Sequence, residues 1–384
     1  MANTLTNLTP DLYAALDVVS RELVGLIPAV SRDSSLERAA LNQTIRSFVA
    51  PASTAADITA GQLPPNTGDQ TIGNKTVSIT KARAVPVRWN GEEQRAMNTG
   101  PGYNNILRDQ FAQAMRVLCN EVESDLAALF SSASNAAAPA GTTLFDAANY
   151  KDVANVDMLL NINGAPLNDR ALVLSNASAA AFKGNAQYYS YLNAGDISFL
   201  RQGELMNIHN INMRASAQIK SQTAGTASSA TVNNAGYAVG ATVLTLSSAG
   251  TGTILAGDVI SFAGDTNKYV VVSGDADVSG GGTITIAAPG LKVAMSAATK
   301  AITVEASVEK NMAFSRNAIH LVTRAPAAPV EGDSATDVMI IQDPRSGLAF
   351  EVRMYREYRQ VHYEIGMAWG VAMIKPEHCV LLVD

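Results

Sequence analysis

Charge is what this chain has least of. Asp, Glu, Lys and Arg make up 16% of its 384 residues, against roughly 25% in ordinary soluble domains, while apolar residues hold a normal 47%. Something other than charge therefore covers the surface. Either small uncharged Ala, Ser, Thr and Gly do so, or much of the surface is hidden against other copies, since interface cores are depleted of charge. Cysteine is nearly absent as well. Cys119 and Cys379 are the only two. They lie far apart, and Cys119 falls on a strongly helical stretch. A disulfide framework is not expected, and both read as core thiols in a reducing compartment.

Long apolar runs are missing too. None approaches the roughly 18 residues of a membrane span, so no membrane partner is expected. The opening MANTLTNLTP has neither a basic nor an apolar leader region; no secretory signal is expected, and synthesis in the cytosol is. Positive charge is also short. A net charge of −6 speaks against tight nucleic-acid binding, which needs a clustered basic face, although proximity to DNA stays open.

The signatures of chemistry are absent in turn. His209, His320, His362 and His378 stand in no HExxH or CxxC setting, and each reads as a structural histidine. No GxSxG elbow and no GxxxxGK[ST] phosphate loop occurs. Asp275, Asp277, Ser279 and Gly280 match the first positions of a calcium loop, but Ile286 stands where its bidentate Glu belongs. A polar hairpin turn is the better reading, and a weak cation site the alternative. No catalytic residue, metal ligand or cofactor site is assigned, and an enzyme is not expected.

What is present is one long periodic stretch, from Asn104 to Ser132. Leu107, Phe111, Met115, Leu118, Val122, Leu126 and Leu129 recur at three- or four-residue steps and so share one helix face. Pro101 and Gly102 precede it, and Asn135, Pro139 and Gly141 close it. A helix of about 29 residues is roughly 43 Å long, which suits an elongated subunit better than a compact globule.

Taken in order, the chain begins with a helix capped by Thr9, with Pro10 at its first position, carrying Leu12, Leu16, Val19 and Leu23, and ended by Gly25 and Pro28. From Arg46 to Asp69 proline and glycine impose an extended excursion. A hairpin is expected next, with Val77, Ile79, Val85, Val87 and Trp89 on one parity. It carries Lys75, Lys81, Arg83 and Arg88 and no acid. Glu121, Glu123 and Asp125 crowd one end of the long helix, and like charges four apart disfavour an isolated helix. The expectation is that the basic hairpin of one subunit lies across the acidic helix end of its neighbour; the alternative is two separately solvated faces.

Downstream, Arg170 to Leu174 reads as a buried strand leading through Ser175 and Asn176 into a helix from Ala177 to Phe182, an α/β unit. The stretch Leu200 to Met213 reads as turn and strand. Between Ile219 and Glu305, short runs separated by glycine (Thr242–Leu246, Val259–Phe262, Tyr269–Val272, Thr283–Ile286 and Ala301–Val304) predict a small β-barrel or sandwich. Strands then return at Val338–Ile341, Leu348–Met354, Val361–Ile365, Trp369–Ile374 and Val380–Val383.

The order of these parts, together with the run Ala256-Gly257-Asp258-Val259-Ile260-Ser261-Phe262-Ala263-Gly264, the strand Leu172–Leu174 with its helix, the run Leu200 to Ser216, and the ending Asp343 to Cys379 with Gly347, Trp369, Gly370, Pro376 and Glu377, resembles the major capsid proteins of tailed phages with the HK97-like fold, specifically the P22 coat protein family. The resemblance implies an α+β fold divided into an N-terminal arm (1–45), an extended E-loop with a P-domain strand (46–98), a spine helix (99–140), a first part of the A-domain (141–218), an inserted β-barrel domain (219–305) and return strands (306–384). It implies subunits that assemble as hexamers and pentamers into an icosahedral virion shell around double-stranded DNA, without sequence-specific contact. A scaffolding protein and a portal are the implied partners, assembly is in the host cytoplasm, and no cofactor is implied. A covalent Lys–Asn crosslink is not expected. An encapsulin-like compartment shell and a β-rich tail or decoration protein are the alternatives.

Overall fold

The computed structural model describes residues 5–22, 25–49, 73–97, 103–139, 143–146, 151–185, 205, 207–306, 308–343 and 346–383. In chain order the first half contains α1 (Leu5–Glu22), β1 (Ser31–Ala39), β2 (Thr44–Val49), β3 (Gly73–Ser78), β4 (Lys81–Asn90), α2 (Gly91–Met97), α3 (Tyr103–Ala128), β5 (Asn135–Ala137), α4 (Asp152–Ile162), β6 (Arg170–Leu174) and α5 (Asn176–Gly184). Then come β7 (Asn207–Ile208), β8 (Ile211–Ala215), β9 (Thr231–Val232), β10 (Val243–Leu246), β11 (Val259–Phe262), β12 (Lys268–Ser273), β13 (Gly282–Ile286) and β14 (Lys300–Val304). The chain closes with β15 (Lys310–Ser315), β16 (Ile319–Pro326), β17 (Asp337–Gln342), β18 (Ala349–Glu357), β19 (Gln360–Met373) and β20 (Cys379–Val383). It is a mixed helix and strand fold.

The long helix α3 has 26 residues, roughly 39 Å at 1.5 Å per residue. Its stripe of Leu107, Phe111, Met115, Leu118, Val122 and Leu126 is buried to 0–1% exposure in the largest core cluster. At about 1.5–3 kcal/mol for each large apolar side chain, this face contributes on the order of 10 kcal/mol. The α-helix ends at Ala128 and tightens into a 3-10 turn over Leu129–Ser132, so Leu129 leaves the α-helical stripe and is only partly buried. The first helix begins at Leu5 with Pro10 inside it, rather than starting at Pro10. Pro10 is the sixth residue of this helix, past the four whose amides have no intrahelical acceptor, so it removes one i→i−4 bond from the second turn. Leu12, Ala15, Leu16 and Val19 of α1 belong to the same cluster as α3; Leu23 lies outside the described residues, as do most of the Arg46–Asp69 excursion and residues 200–204.

One sheet lies under α3. The long strand β19 carries β16 and β18 in succession along one edge and β4 along the other, from Gln360↔Asn90 to Trp369↔Lys81. Alternation sorts its two faces: Tyr363, Ile365, Met367 and Trp369 point to the helix core with Phe350, Val352 and Met354 of β18. β4 is an edge strand, and Pro86 within it removes a donor that would otherwise invite further pairing.

The basic hairpin expected from residues 76–89 does not form. β3 pairs with β2, from Thr44↔Ser78 to Val49↔Gly73, as a separate two-stranded ribbon. The chain then turns at Ile79 and Thr80 and joins the main sheet as β4. Nothing in the shared parity of Val77, Ile79 and Val85 marks that change of partner.

The second sheet has 12 strands in the order β11-β14-β9-β10-β13-β12-β5-β20-β15-β6-β8-β7, with an extra β11–β12 pairing. That extra pairing closes β9 to β14 into a six-stranded barrel around Leu244, Ile260, Phe262, Tyr269, Val271, Ile284 and Ile286, which form a core cluster of their own. A third cluster joins α4 and α5 to β6, β8 and β20 through Val156, Leu160, Leu172, Leu174, Phe182 and Leu382.

Candidate assembly surface

The acidic end of α3 and the basic strand meet within one chain. Lys81 Nζ stands 2.6 Å from Asp125 Oδ1, Arg83 Nε 3.7 Å from Glu121 Oε2, and Trp89 Nε1 donates to Gln110 Oε1 at 2.8 Å. As residue numbers rise along β4 they fall along α3. Two strand residues advance about 6.6 Å and four helix residues about 6.0 Å, so alternate residues of β4 keep pace with every fourth of α3. Asp125 also accepts from Trp369 Nε1 at 2.8 Å. These groups thus tie sheet to helix in one molecule, which corrects the expectation that Lys81, Arg83, Glu121 and Asp125 pair between neighbours. The Arg83–Glu121 contact is long and exposed on both sides, and is worth little by itself.

Glu123 is removed from any neighbour's reach. It is 6% exposed and its carboxylate accepts from the backbone N–H groups of Leu26 at 3.0 Å and Ile27 at 2.8 Å, and from Ser216 Oγ at 2.9 Å. The acid fastens the turn after α1 to the middle of the molecule. Gly25 permits this approach: a Cβ there would stand 2.8 Å from Glu123 Oε2.

Lys75 and Arg88 differ from these. Both are exposed, Lys75 on the ribbon and Arg88 on the face of β4 turned away from α3. On the ribbon Thr44, Arg46, Asn74, Lys75 and Thr76 are exposed, whereas Val77 and Ile79, with the half-buried Ile45, join Val322, Ala368 and Ile374 at its base. There the chain crosses β19 so closely that a Cβ on Gly370 would stand 2.0 Å from Ser78 O.

Two charged networks escape sequence reading because their members are remote. Arg170, 1% exposed, donates to Pro166 O, Asp157 Oδ1, Asn161 Oδ1 and Ala165 O at 2.5–2.8 Å, pinning α4 to β6. On the sheet face away from α3, Arg353 bridges Glu351 at 3.1 Å and Asp333, while Arg38 Nη2 approaches Glu351 Oε1 to 2.5 Å.

Reactive chemistry has little foothold in the described residues. Burial, with the charge of Glu123 beside it, pushes the Cys119 thiol up to about 12, and burial raises Cys379 as well. Burial lowers His320 and His378. In the turn at Asp275, Asp275 Oδ1 accepts from Asp277 N at 2.8 Å, and Asp277 Oδ1 accepts from Ser279 N at 3.0 Å and Ser279 Oγ at 2.6 Å, so oxygens a cation would use are engaged by the turn. No group of three or more His, Cys, Asp or Glu among the described residues is placed to hold a metal ion.

No protein family and no curated protein sequence matches the chain. Solved structures do. The capsid of the cyanophage P-SCSP1u matches at 12% identity over 92% of this chain and 86% of that one, with a TM-score of 0.47. The mature capsid of bacteriophage PhiM1 matches at 10% identity over 93% and 85%, with a TM-score of 0.44. A virus-like particle from Pyrococcus furiosus matches at 9% identity over 97% and 98%, with a TM-score of 0.44. None of the three names a P22-type coat protein.

Proposed function

We propose that this chain is a coat subunit of the HK97-like kind, self-assembling into a closed shell around double-stranded DNA as the major capsid protein of a tailed phage. The observation that carries the reading is the β2–β3 ribbon. A two-stranded ribbon alone is marginal in water, and Thr44, Arg46, Asn74, Lys75 and Thr76 of this one are exposed, while Ile45, Val77 and Ile79 pack at its base. Among the described residues no surface of its own chain covers its outer part, and a second copy is the simplest source of one.

The rest of the geometry supports this. The α3 spine, clamped to β4 and β19, makes a rigid plate rather than a pocket, and a charge content of 16% leaves wide surfaces free of desolvation cost when copies tile. In this reading Lys75 and Arg88 face the neighbouring subunit, the barrel β9–β14 is the inserted domain, and α4, β6, α5 and β8 belong to the A-domain. A scaffolding protein and a portal are the proposed assembly partners, and the virion is the proposed location. The role is structural, with no reaction.

The test is electron microscopy and size-exclusion chromatography of the full chain, alone and with a candidate scaffolding protein, beside a variant in which residues 46–76 are replaced by a short Gly-Ser turn. Uniform closed particles from the full chain, and a folded monomer from the variant, are expected. A full chain that stays monomeric in both settings defeats the reading. Particles filled with protein cargo and free of nucleic acid during infection point to the compartment-shell alternative.

A further inference from the structure

The barrel β9–β14 is joined to the rest of the molecule by few and unlike contacts. Its two linkers run beside each other, Ser221 bridging to Glu309 and Gln222 N donating to Val308 O at 3.1 Å, so the covalent joint is one narrow stalk. Strand β12 borders β5 through Lys268↔Ala136 and Tyr269↔Asn135. Val259 and Val270 join the main core beside Phe130 rather than the barrel's own cluster. At Gly257 the barrel meets the end of the spine so closely that a Cβ there would stand 2.4 Å from Phe130 Cε2.

Two lysines cross this seam in opposite directions. Lys292 of the barrel donates from Nζ to Asn163 Oδ1 at the C-cap of α4. Asn163 Nδ2 in turn donates to Ser134 Oγ at 3.0 Å, and Ser134 Oγ to Cys379 O at 2.7 Å, so the chain of bonds ends on β20. Lys310 of β15 reaches the other way, donating from Nζ to Gly257 O at 3.0 Å and standing 5.9 Å from the centre of the Phe130 ring. The two are unequal. Lys292 is half-buried, whereas Lys310 is 3% exposed and has no ion pair among the described residues, one carbonyl serving an ammonium with three protons to place. Asp258, beside Gly257, is engaged by the Gly225 and Leu255 amides.

A buried ammonium with one acceptor opposes the contact that buries it, because it loses more hydration than a single carbonyl returns. Apolar contact, strand pairing and the Lys292 bonds close the seam; the hydration of Lys310 favours opening it. We infer that the barrel is a movable module whose seat is balanced between these forces, with Lys292 as its latch and Lys310 as a built-in wedge that keeps the seat able to open. The stalk is the hinge, and the barrel moves as a unit because its core is closed on itself. In a shell of the proposed kind this lets identical chains take different barrel tilts, but the device lies within one chain and stands or falls without that reading.

Hydrogen exchange of the full-length protein, with all variants held in one assembly state, tests this, since protection follows the opening equilibrium. Lys310→Met removes the wedge and is expected to slow exchange of the amides by which β5 and β12 pair, about fivefold or more. Lys292→Met removes the latch and is expected to speed the same amides about tenfold. In both, Ile284 and Ile286 inside the barrel are expected to exchange as before. Lys310→Gln, neutral and polar, is expected to act like the methionine variant but more weakly, and it carries the comparison if that variant does not fold. A neutral residue at 310 that speeds the seam or leaves it unchanged overturns the proposal, and so does a Lys292→Met seam that exchanges no faster. Equal changes at the seam and at Ile284 and Ile286 overturn it too, because the barrel then unfolds instead of moving.

Discussion

Trp369 Nε1 donates a 2.8 Å hydrogen bond to one oxygen of Asp125 while Lys81 Nζ stands 2.6 Å from the other. The two partners are unequal, because Trp369 is 0% exposed and the Lys81 side chain 37%. Asp125→Ala leaves a buried N–H without an acceptor and is expected to cost about 2–3 kcal/mol. Lys81→Ala is expected to cost less than about 1 kcal/mol. Urea unfolding of the monomer measures both, and equal losses would show that the ion pair rather than the indole carries the contact.

Glu123 makes a different prediction, about where the damage appears. Glu123→Ala strips acceptors from the Leu26 and Ile27 amides and from Ser216, with an expected cost of about 3 kcal/mol. Glu123→Gln fares little better, since its NH₂ must face one of those donors. Hydrogen exchange is expected to speed first in α1 and at residues 26–30, which the carboxylate fastens, with the barrel unaffected. Uniform acceleration along the chain would mean that Glu123 does not act locally.

At Gly370 the limit is space. A Cβ would stand 2.0 Å from the Ser78 carbonyl oxygen, a backbone atom that cannot rotate away. Gly370→Ala is expected to destabilise by about 3 kcal/mol or more and to loosen the ribbon's base. Gly91→Ala is the control: nothing lies within 4 Å of its Cβ, and alanine at the start of α2 is expected to be neutral or stabilising by up to about 1 kcal/mol. Thermal melts of both variants decide the point.

Acid sensitivity follows from the histidines. Burial holds His320 and His378 below the ordinary value of 6.5, with Asp33 and Glu377 partly opposing. The unfolded chain therefore takes up these protons first. Stability is fully present above the unfolded value, falls as the pH drops through it, and levels off below the folded values. The denaturation midpoint is expected to fall between about pH 7 and 5, less steeply in His320→Gln. An unchanged slope in that variant removes His320 from the account.

Much of the framework was legible. The stripe from Leu107 to Leu126 announced α3 because a helix face repeats locally, and the alternation of Phe350, Val352 and Met354 announced a one-sided strand for the same reason. Glycine punctuation marked the barrel strands. Partner choice was not legible. The parity of Val77, Ile79 and Val85 runs unbroken across the point where the chain leaves β2 and joins β19, since alternation records which face is buried and not which strand is alongside.

The charged residues show the same limit more sharply. Glu121, Glu123 and Asp125 look alike in sequence, yet one makes a loose surface pair, one binds buried amides nearly a hundred residues away, and one holds an indole. Arg214 and Arg316 share no local pattern, and only the fold brings them to one cleft. A sequence motif would have found them only had they been neighbours in the chain.

The three-residue strand β5 joins the barrel to the rest of the molecule. Asn135 pairs with Val380 on one side and Tyr269 on the other, and Ala136 with Leu381 and Lys268. Pulled along the strand direction, these bonds are loaded in shear and must break together; pulled across it, they peel in turn. The barrel therefore behaves as a stiff lever against lengthwise force and a weak one against sideways force. A sideways tilt strains the Cys379–Val383 register, on which the neighbouring strand Lys310–Ser315 is laid.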